Sequence, residues 1–305
     1  MSKVILIFTL FLVSCTTFEK PKRLVRSQIH MGTKVSISGL KQIHDFDQAF
    51  NAIAKVDQTL STYIKNSPVV RLNKGEKVLI TSDFKDYLEL SAYMQKQTHY
   101  LFDPTIGGFT TDFKNHNNYT SSSKNINLQK ILNNASDALV LPKDVRLDFG
   151  GIGKGFALWE VTKLFQESED PFTVKLSGDI YCHKPCRISV DKPVLESKKI
   201  SFSTCSDKVS ISTSGNYRNF IKNKNKNHLL HPHTGQSQQK TASITVVTVE
   251  PPYVADALAT ALAVAKDNGE RNKIIKNFKA SYIHISNNKT YEYGPNYNHY
   301  FCSVR

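Results

Sequence analysis

The sequence predicts a single α+β domain in which mixed or antiparallel sheets pack against helices. A 305-residue chain that is 40% hydrophobic can bury one large core. Strand-like and helix-like patterns succeed one another with no internal repeat, and no linker-like stretch interrupts residues 31–305. The expected organisation is a signal peptide over 1–14, a tether over 15–30 and one domain over 31–305.

At the start, Lys3 precedes an apolar run from Val4 to Val13. This run is too short for a bilayer span of about 20 residues and reads as a secretory signal. Leu12-Val13-Ser14-Cys15 resembles a bacterial lipobox, in which the cysteine is diacylated and becomes the new N-terminus. A plain signal peptide with an incidental cysteine is the alternative. The lipobox reading places the protein in the bacterial cell envelope, anchored to a membrane by lipid and facing the periplasm. No later apolar stretch is long enough to span a membrane.

The chain carries 40 Lys+Arg against 26 Asp+Glu, a net +14, which suits acidic partners. Removing Lys3 with the signal leaves 14 − 1 = +13. No nucleic-acid-binding signature accompanies this charge, and lysines such as those between 222 and 227 lie in Asn-rich stretches, so nucleic acid is not an expected partner. After Cys15, the cysteines are Cys182, Cys186, Cys205 and Cys302. In an exported protein they allow three pairings, which the sequence does not choose between. Cys182 and Cys186 lack the matched second pair of a zinc site.

Along the expected domain, a Met31-Gly32-Thr33 corner precedes a short strand over Lys34–Ile37. Asp45 can cap a helix whose apolar positions Phe46, Phe50, Ile53, Val56 and Leu60 recur at three- and four-residue spacing. A second helix starts near Ser82, and the polar stretch from Thr111 to Asn127 reads as a loop. Val145–Phe149 reads as a strand leading through a glycine-rich turn to a helix over Gly155–Glu167. Strands follow at Thr173–Leu176, Arg187–Val190, Lys199–Ser203, Val209–Ser212 and Ile244–Val249. Ala255–Ala265 is apolar enough to be a buried helix, and Tyr282–Ser286 with Thr290–Tyr293 reads as a hairpin.

Three segments carry the candidate chemistry. Gly150-Gly151-Ile152-Gly153-Lys154-Gly155 lies between strand and helix, where backbone amides, a lysine and the helix dipole can hold phosphate. It has neither the P-loop nor the dinucleotide-fingerprint spacing, so a tight structural turn is the alternative. Asp256 and Thr260, at i and i+4, project oxygens from one face of an apolar helix. A carboxylate there needs a partner, either a hard cation such as Mg²⁺ with a phosphate ligand or a salt bridge. In His228-Leu229-Leu230-His231-Pro232-His233-Thr234-Gly235 the three histidines do not share a face, and His228 is the candidate acid–base group. No Gly-x-Ser-x-Gly elbow is present.

Taken in order, these segments resemble the FAD:protein FMN transferases, the ApbE or flavin-trafficking family. The matching segments are Met31-Gly32-Thr33; Leu60-Ser61-Thr62-Tyr63 with Ser67 and Leu72-Asn73; Phe102-Asp103-Pro104-Thr105; Leu147 through Gly155; Leu176-Ser177-Gly178-Asp179-Ile180; Ser212-Thr213-Ser214-Gly215-Asn216-Tyr217; His228 through Gly235; and Ala255 through Leu262. The resemblance implies a T-fold-like architecture and an exported enzyme that takes FAD as substrate, uses Mg²⁺ and esterifies FMN to a threonine or serine of an acceptor redox flavoprotein. It implies that Met31, Tyr63, Asp103, Lys154, Asp179, Thr213, Ser214 and Gly215 bind FAD. Asp256, Thr260 and a backbone carbonyl of Gly151 or Gly153 would hold the metal, with His228 and Asp256 as catalytic residues. Two positions depart from the family pattern: Trp159 and His231 stand where its members usually carry aspartate. A flavin-binding lipoprotein, or an FAD pyrophosphatase that labels no protein, is the alternative function.

The lipobox reading predicts that Cys15→Ser blocks lipoprotein-type processing and moves the protein out of the detergent phase on Triton X-114 partitioning. Continued cleavage before residue 15 with detergent partitioning would contradict it.

Overall fold

The computed structural model describes residues 24–115, 126–191, 199–216, 220–221, 223–288 and 290–304. The signal peptide, Cys15, the tether up to residue 23, Tyr217 and part of the 111–127 stretch lie outside the described residues.

The chain enters as a hairpin. Strands β1 (Val25–His30) and β2 (Thr33–Ser38) are joined by Met31 and Gly32, both at positive φ (51° and 69°), which suits the twist of a two-residue hairpin turn. β1 therefore takes six residues that the sequence reading assigned to the tether. Its alternation of Val25, Ser27 and Ile29 with Arg26, Gln28 and His30 is strand-like, but the run is too short and polar to stand out.

Helix α1 (Ile43–Leu60) buries the stripe expected from its spacing. It begins ahead of Asp45, with Gln42 as N-cap, so Asp45 lies in the first turn and favours the positive end of the helix dipole instead of capping. Ser67 caps α2 (Pro68–Asn73) by accepting from the Val70 amide. After β3 (Val78–Leu79), Thr81 caps α3 (Ser82–Gln97) in the same way through the Phe84 amide. α4 (Gly107–Lys114) occupies part of the stretch read as a loop, and α5 (Leu128–Leu132) and β4 (Ala138–Leu139) follow. Val145–Phe149 does not form the expected strand. Arg146 makes one parallel bridge to Ile106, while the Leu147 amide donates to Asn73 Oδ1 at the end of α2 and the Asp148 amide to the Pro104 carbonyl, so its bonds go to a loop and a helix end and not to a neighbouring strand.

α6 (Gly153–Leu164) starts inside the glycine-rich turn. The second half of the chain is then built on strands β5 (Thr173–Leu176), β6 (Asp179–Cys182), β7 (Arg187–Asp191), β8 (Lys199–Thr204), β9 (Val209–Gly215), β10 (Phe220–Ile221), β11 (Asn223–Asn227) and β12 (Thr241–Thr248). Helices α7 (Pro252–Val264) and α8 (Asn268–Ile275), strands β13 (Ala280–Ser286) and β14 (Tyr291–Tyr293), helix α9 (Tyr297–Tyr300) and strand β15 (Phe301–Val304) complete it. Most strands read from the sequence are found within a few residues of their predicted ends. β6 was not anticipated, being four residues long and carrying an aspartate and a cysteine.

An eight-stranded antiparallel sheet of order β1-β2-β5-β6-β9-β12-β13-β14 is the middle layer. α1, α6 and α7 pack together on one face of it, where Phe46, Ile53, Phe156, Leu258 and Leu262 share the larger core with Val35, Val174 and Val246 of the sheet. Over part of the other face lies a three-stranded sheet of order β15-β8-β7, whose Ile188, Phe202 and Phe301 share a second core with Ile180, Ile211 and Ile283. Two disulfides hold this smaller sheet: Cys182–Cys186 ties β6 to the approach to β7, and Cys205–Cys302 ties the end of β8 to β15.

Gly155 sets the spacing between α6 and α7. A Cβ there would lie 2.5 Å from Tyr253 Cα and 2.8 Å from the Pro252 carbonyl oxygen. Backbone cannot yield as a side-chain end can, so Gly155→Ala is expected to destabilise the protein by about 1–3 kcal/mol. Urea unfolding monitored by circular dichroism measures this; an unchanged midpoint would mean that the helices separate freely.

Candidate active site

The start of α6, the start of β6 and the first turns of α7 converge on one ammonium group. Lys154 Nζ lies 3.1 Å from Asp179 Oδ2, and 3.3 and 3.4 Å from the two carboxylate oxygens of Asp256. Both carboxylates are buried, while the lysine side chain keeps 28% of its surface exposed. Asp256 Oδ2 also accepts from the Gly155 amide at 2.9 Å, and Asp179 Oδ1 accepts from Ser212 Oγ at 2.5 Å. Glycines make the approach possible: besides Gly155, a Cβ on Gly178 would meet the Thr213 carbonyl at 2.7 Å.

The charges do not cancel, since two carboxylates face one ammonium. Burial, and then the neighbouring Asp256, push the Asp179 carboxyl up to about 6. Burial works to lower the Lys154 pKa, but Asp179 and Asp256 more than offset it and hold the ammonium charged. The surplus of negative charge is a property of the site before any ligand arrives.

Thr260 lies four residues, about one turn of α7, beyond Asp256 and so on the same side of the helix. Thr260 Oγ1 donates to the Gly151 carbonyl at 3.2 Å, and a Cβ on Gly151 would meet Thr260 at 2.9 Å. Carboxylate, hydroxyl and carbonyl oxygens thus lie on one side of α7, a donor set that suits a hard cation such as Mg²⁺. Among the described residues no group of three or more His, Cys, Asp or Glu side chains could hold a metal alone. A cation here would need further oxygen ligands, such as substrate phosphate or water. Gly153 is placed differently from Gly151: it is the first residue of α6, its amide bonds the Phe149 carbonyl, and Met31 Cε is its neighbour at 3.4 Å from a built Cβ. Met31 is held there by its own amide, which donates to Asp57 Oδ2.

A second compartment adjoins the turn. Asp148 Oδ1 accepts from the Gly150 amide at 2.7 Å, while Oδ2 accepts from Thr110 Oγ1 at 2.7 Å and meets Lys114 Nζ at 3.2 Å. Asp148, Lys114, Thr110, Asn73 and Arg146 line a cavity of about 280 Å³. Tyr63, largely exposed, places its ring 4.6 Å from Lys114 Nζ. Sequence reasoning had named neither Asp148 nor Lys114 as a site residue. Asp148 had a signal, since it directly precedes the Phe149-Gly150 corner; Lys114 had none, lying in a polar stretch.

The remaining sequence-predicted residues lie around these two compartments. Thr213, Ser214 and Gly215 end β9; the Thr213 amide donates to the Gly178 carbonyl, and its hydroxyl pairs with that of Thr245 at 2.9 Å. Asp103 is buried in a local network, its Oδ1 accepting from Gln95, the Thr105 amide and the Thr105 hydroxyl, while its Oδ2 has no hydrogen-bond partner among the described residues. It supports the loop that reaches Asp148 through the Pro104 carbonyl. His228 is half-buried and follows β11 directly. Trp159 points elsewhere: its ring packs edge-on to Tyr253 at 5.2 Å, with Lys163 Nζ 4.1 Å above it. His231 and His233 stand 5.3 Å apart, and burial followed by the charge of His233 lowers the His231 pKa.

The ApbE family model matches residues 31–283. The FAD:protein FMN transferase of Haemophilus influenzae is 27% identical over 270 residues, covering 78% of each chain. That of Escherichia coli K12 is 24% identical over 294 residues, covering 84% of each. The crystal structure of the ApbE protein from Thermotoga maritima matches with a TM-score of 0.77 at 21% identity, over 91% of this chain and 98% of that one. The apo flavinyl transferase ApbE of Pseudomonas stutzeri matches at 0.73 and 18%, over 92% and 98%. The α+β architecture is thus shared with solved structures.

The raised carboxyl of Asp179 has a measurable sign. Its folded pKa near 6 lies above the ordinary unfolded value, so the folded state holds this proton more tightly and loses stability as pH rises from about 4 through 6. Asp179→Asn removes that term. The melting temperature of the variant minus that of the wild type, both metal-free, should therefore increase by a few degrees between pH 4 and 7. A flat difference would show that Asp179 is not strained by its surroundings.

Proposed function

The chain belongs to the ApbE family, and from that premise we propose that it is an Mg²⁺-dependent FAD:protein FMN transferase, held by lipid on the periplasmic side of the bacterial envelope. The observation that carries the reading is the Lys154 ammonium between buried Asp179 and Asp256, beside the Thr260 to Gly151 contact. It combines a cation for phosphate with a carboxylate-rich corner that favours a divalent metal.

In this reading the FAD pyrophosphate lies at the N-terminal end of α6, where the helix dipole and Lys154 favour its charge. Thr213 and Ser214 border it, and Tyr63 and Asp103 belong to the walls nearer the Asp148 cavity. Asp256, Thr260 and the Gly151 carbonyl would hold Mg²⁺, which when bound supplies Lewis-acid stabilisation of phosphate charge. The hydroxyl of a serine or threonine on the acceptor redox protein attacks the FMN-side phosphorus. A phosphoester bond forms, the pyrophosphate P–O bond breaks and AMP leaves, while His228 takes the hydroxyl proton. Asp179 keeps Lys154 charged and aimed. The family positions lost at Trp159 and His231 lie in an aromatic helix contact and a half-buried loop, which is why hydrolysis or binding without protein labelling stays a distinct outcome of the assay.

Incubating the protein with FAD, Mg²⁺ and an acceptor flavoprotein should yield the covalent FMN mass increment and AMP in equal amounts. AMP and FMN without labelled protein would indicate a pyrophosphatase, and FAD binding without AMP a flavin-binding protein. Asp256→Asn retains an acceptor for the Gly155 amide and removes the charge. It should lower kcat/KM about 100-fold or more, the scale of several kcal/mol of lost metal stabilisation, with a small change in melting temperature. Unchanged turnover would remove Asp256 from the metal site.

A further inference from the structure

The smaller sheet covers only part of the middle layer's outer face. It lies over β6, β9 and β13 and leaves β1, β2 and β5 outside the second core. The inner side of these strands is settled by contact: Val35, Ile37 and Val174 are fully buried, Arg26 lies over the Phe46 ring and His30 stacks on Phe50. Alternation then puts Val25, Ser27 and Ile29 on the outer side, as the bond between Ser27 and Ser36 hydroxyls confirms. Cross-strand pairing adds Lys34 opposite Ile29, and Lys175 opposite Ser36. The result is a face with Ile29 72% and Val25 62% exposed, flanked by exposed Lys34 and Lys175. None of the three strands contains aspartate or glutamate.

This face begins where the tether ends. From Cys15 to Leu24 the chain can reach at most about 30 Å, and it carries Lys20, Lys22 and Arg23. We propose that the outer face of β1, β2 and β5 rests on an anionic lipid bilayer, with Val25 and Ile29 entering the headgroup boundary and Lys34 and Lys175 facing lipid phosphates. The inference deepens the lipid-anchor reading: the acyl group supplies attachment, and this face supplies orientation.

The test uses the full mature chain with Cys15→Ser, so that no acyl group contributes, and vesicles of phosphatidylcholine alone or mixed equally with phosphatidylglycerol. Co-sedimentation should favour the anionic vesicles and weaken with salt. Lys34→Glu with Lys175→Glu should lower partitioning about tenfold or more, and Val25→Ser with Ile29→Ser should also lower it. Lys96→Glu, on the exposed side of α3, should not. Melting temperature and flavin transfer to a soluble acceptor should stay unchanged in all of them. Absence of vesicle binding, or equal loss in the Lys96 control, overturns the proposal. So does a dimer by light scattering that Ile29→Ser dissolves, since the face would then hold a second copy. A protein without transferase activity would leave the vesicle result standing, and a wild-type chain found without acylation would sink the anchor alone.

Discussion

Two buried carboxylates that share one ammonium impose a severe constraint on a fold. Separately, Asp179 on β6 and Asp256 on α7 would each carry a large desolvation cost. Together with Lys154 they are tolerable only if a strand and two helices meet within hydrogen-bond reach. The surrounding sequence reads as the means to that end. Gly155 lets α6 touch the backbone of α7, Gly178 lets the turn before β6 touch β9, Ser212 satisfies the Asp179 oxygen the lysine leaves, and the Gly155 amide adds a second donor to Asp256 Oδ2. Breaking a buried pair of this kind by removing one partner leaves an unpaired charge, whereas adding a divalent cation relieves the repulsion that remains. The same arrangement that strains the site prepares it for a ligand.

Much of this was legible before any coordinates, and unevenly so. Long amphipathic or apolar segments announced themselves: the stripe from Phe46 to Leu60 and the run around Asp256 appear as α1 and α7, because burial of a whole face leaves a periodic record. Asp256 and Thr260 could be placed together from helical spacing alone. Short elements left no such record. β6 carries polar and sulfur-containing residues in a fully buried strand, and β1 reads as polar because an edge strand faces water. Partners distant in sequence were invisible as well: Asp148 and Lys114 meet through α4, which sits in a stretch whose composition suggests a loop. The disulfide pairing depended on where β8 and β15 lie, which four cysteine positions do not encode.

Trp159 and His231 are each tied into their own local surroundings. Trp159 completes an aromatic contact with Phe156 and Tyr253 that packs α6 against α7. His231 bonds the loop to itself, its backbone pairing with Gln236 and its ring accepting from the His233 amide. The contacts of Lys154 with Asp179 and Asp256 are made without either residue.

The pairing of β15 with β8 carries a consequence for how the chain is made. The disulfide between Cys205 and Cys302 spans 97 residues of sequence, and Phe301 beside it packs edge-on to Phe202. During vectorial synthesis, β8 emerges long before the strand that pairs with its outer edge, so that edge waits unpaired while β9 through β14 are added. A chain clipped just before β15 would keep its helical core and its lysine triad yet present an unpaired strand edge, a form recognisable to chaperones and proteases.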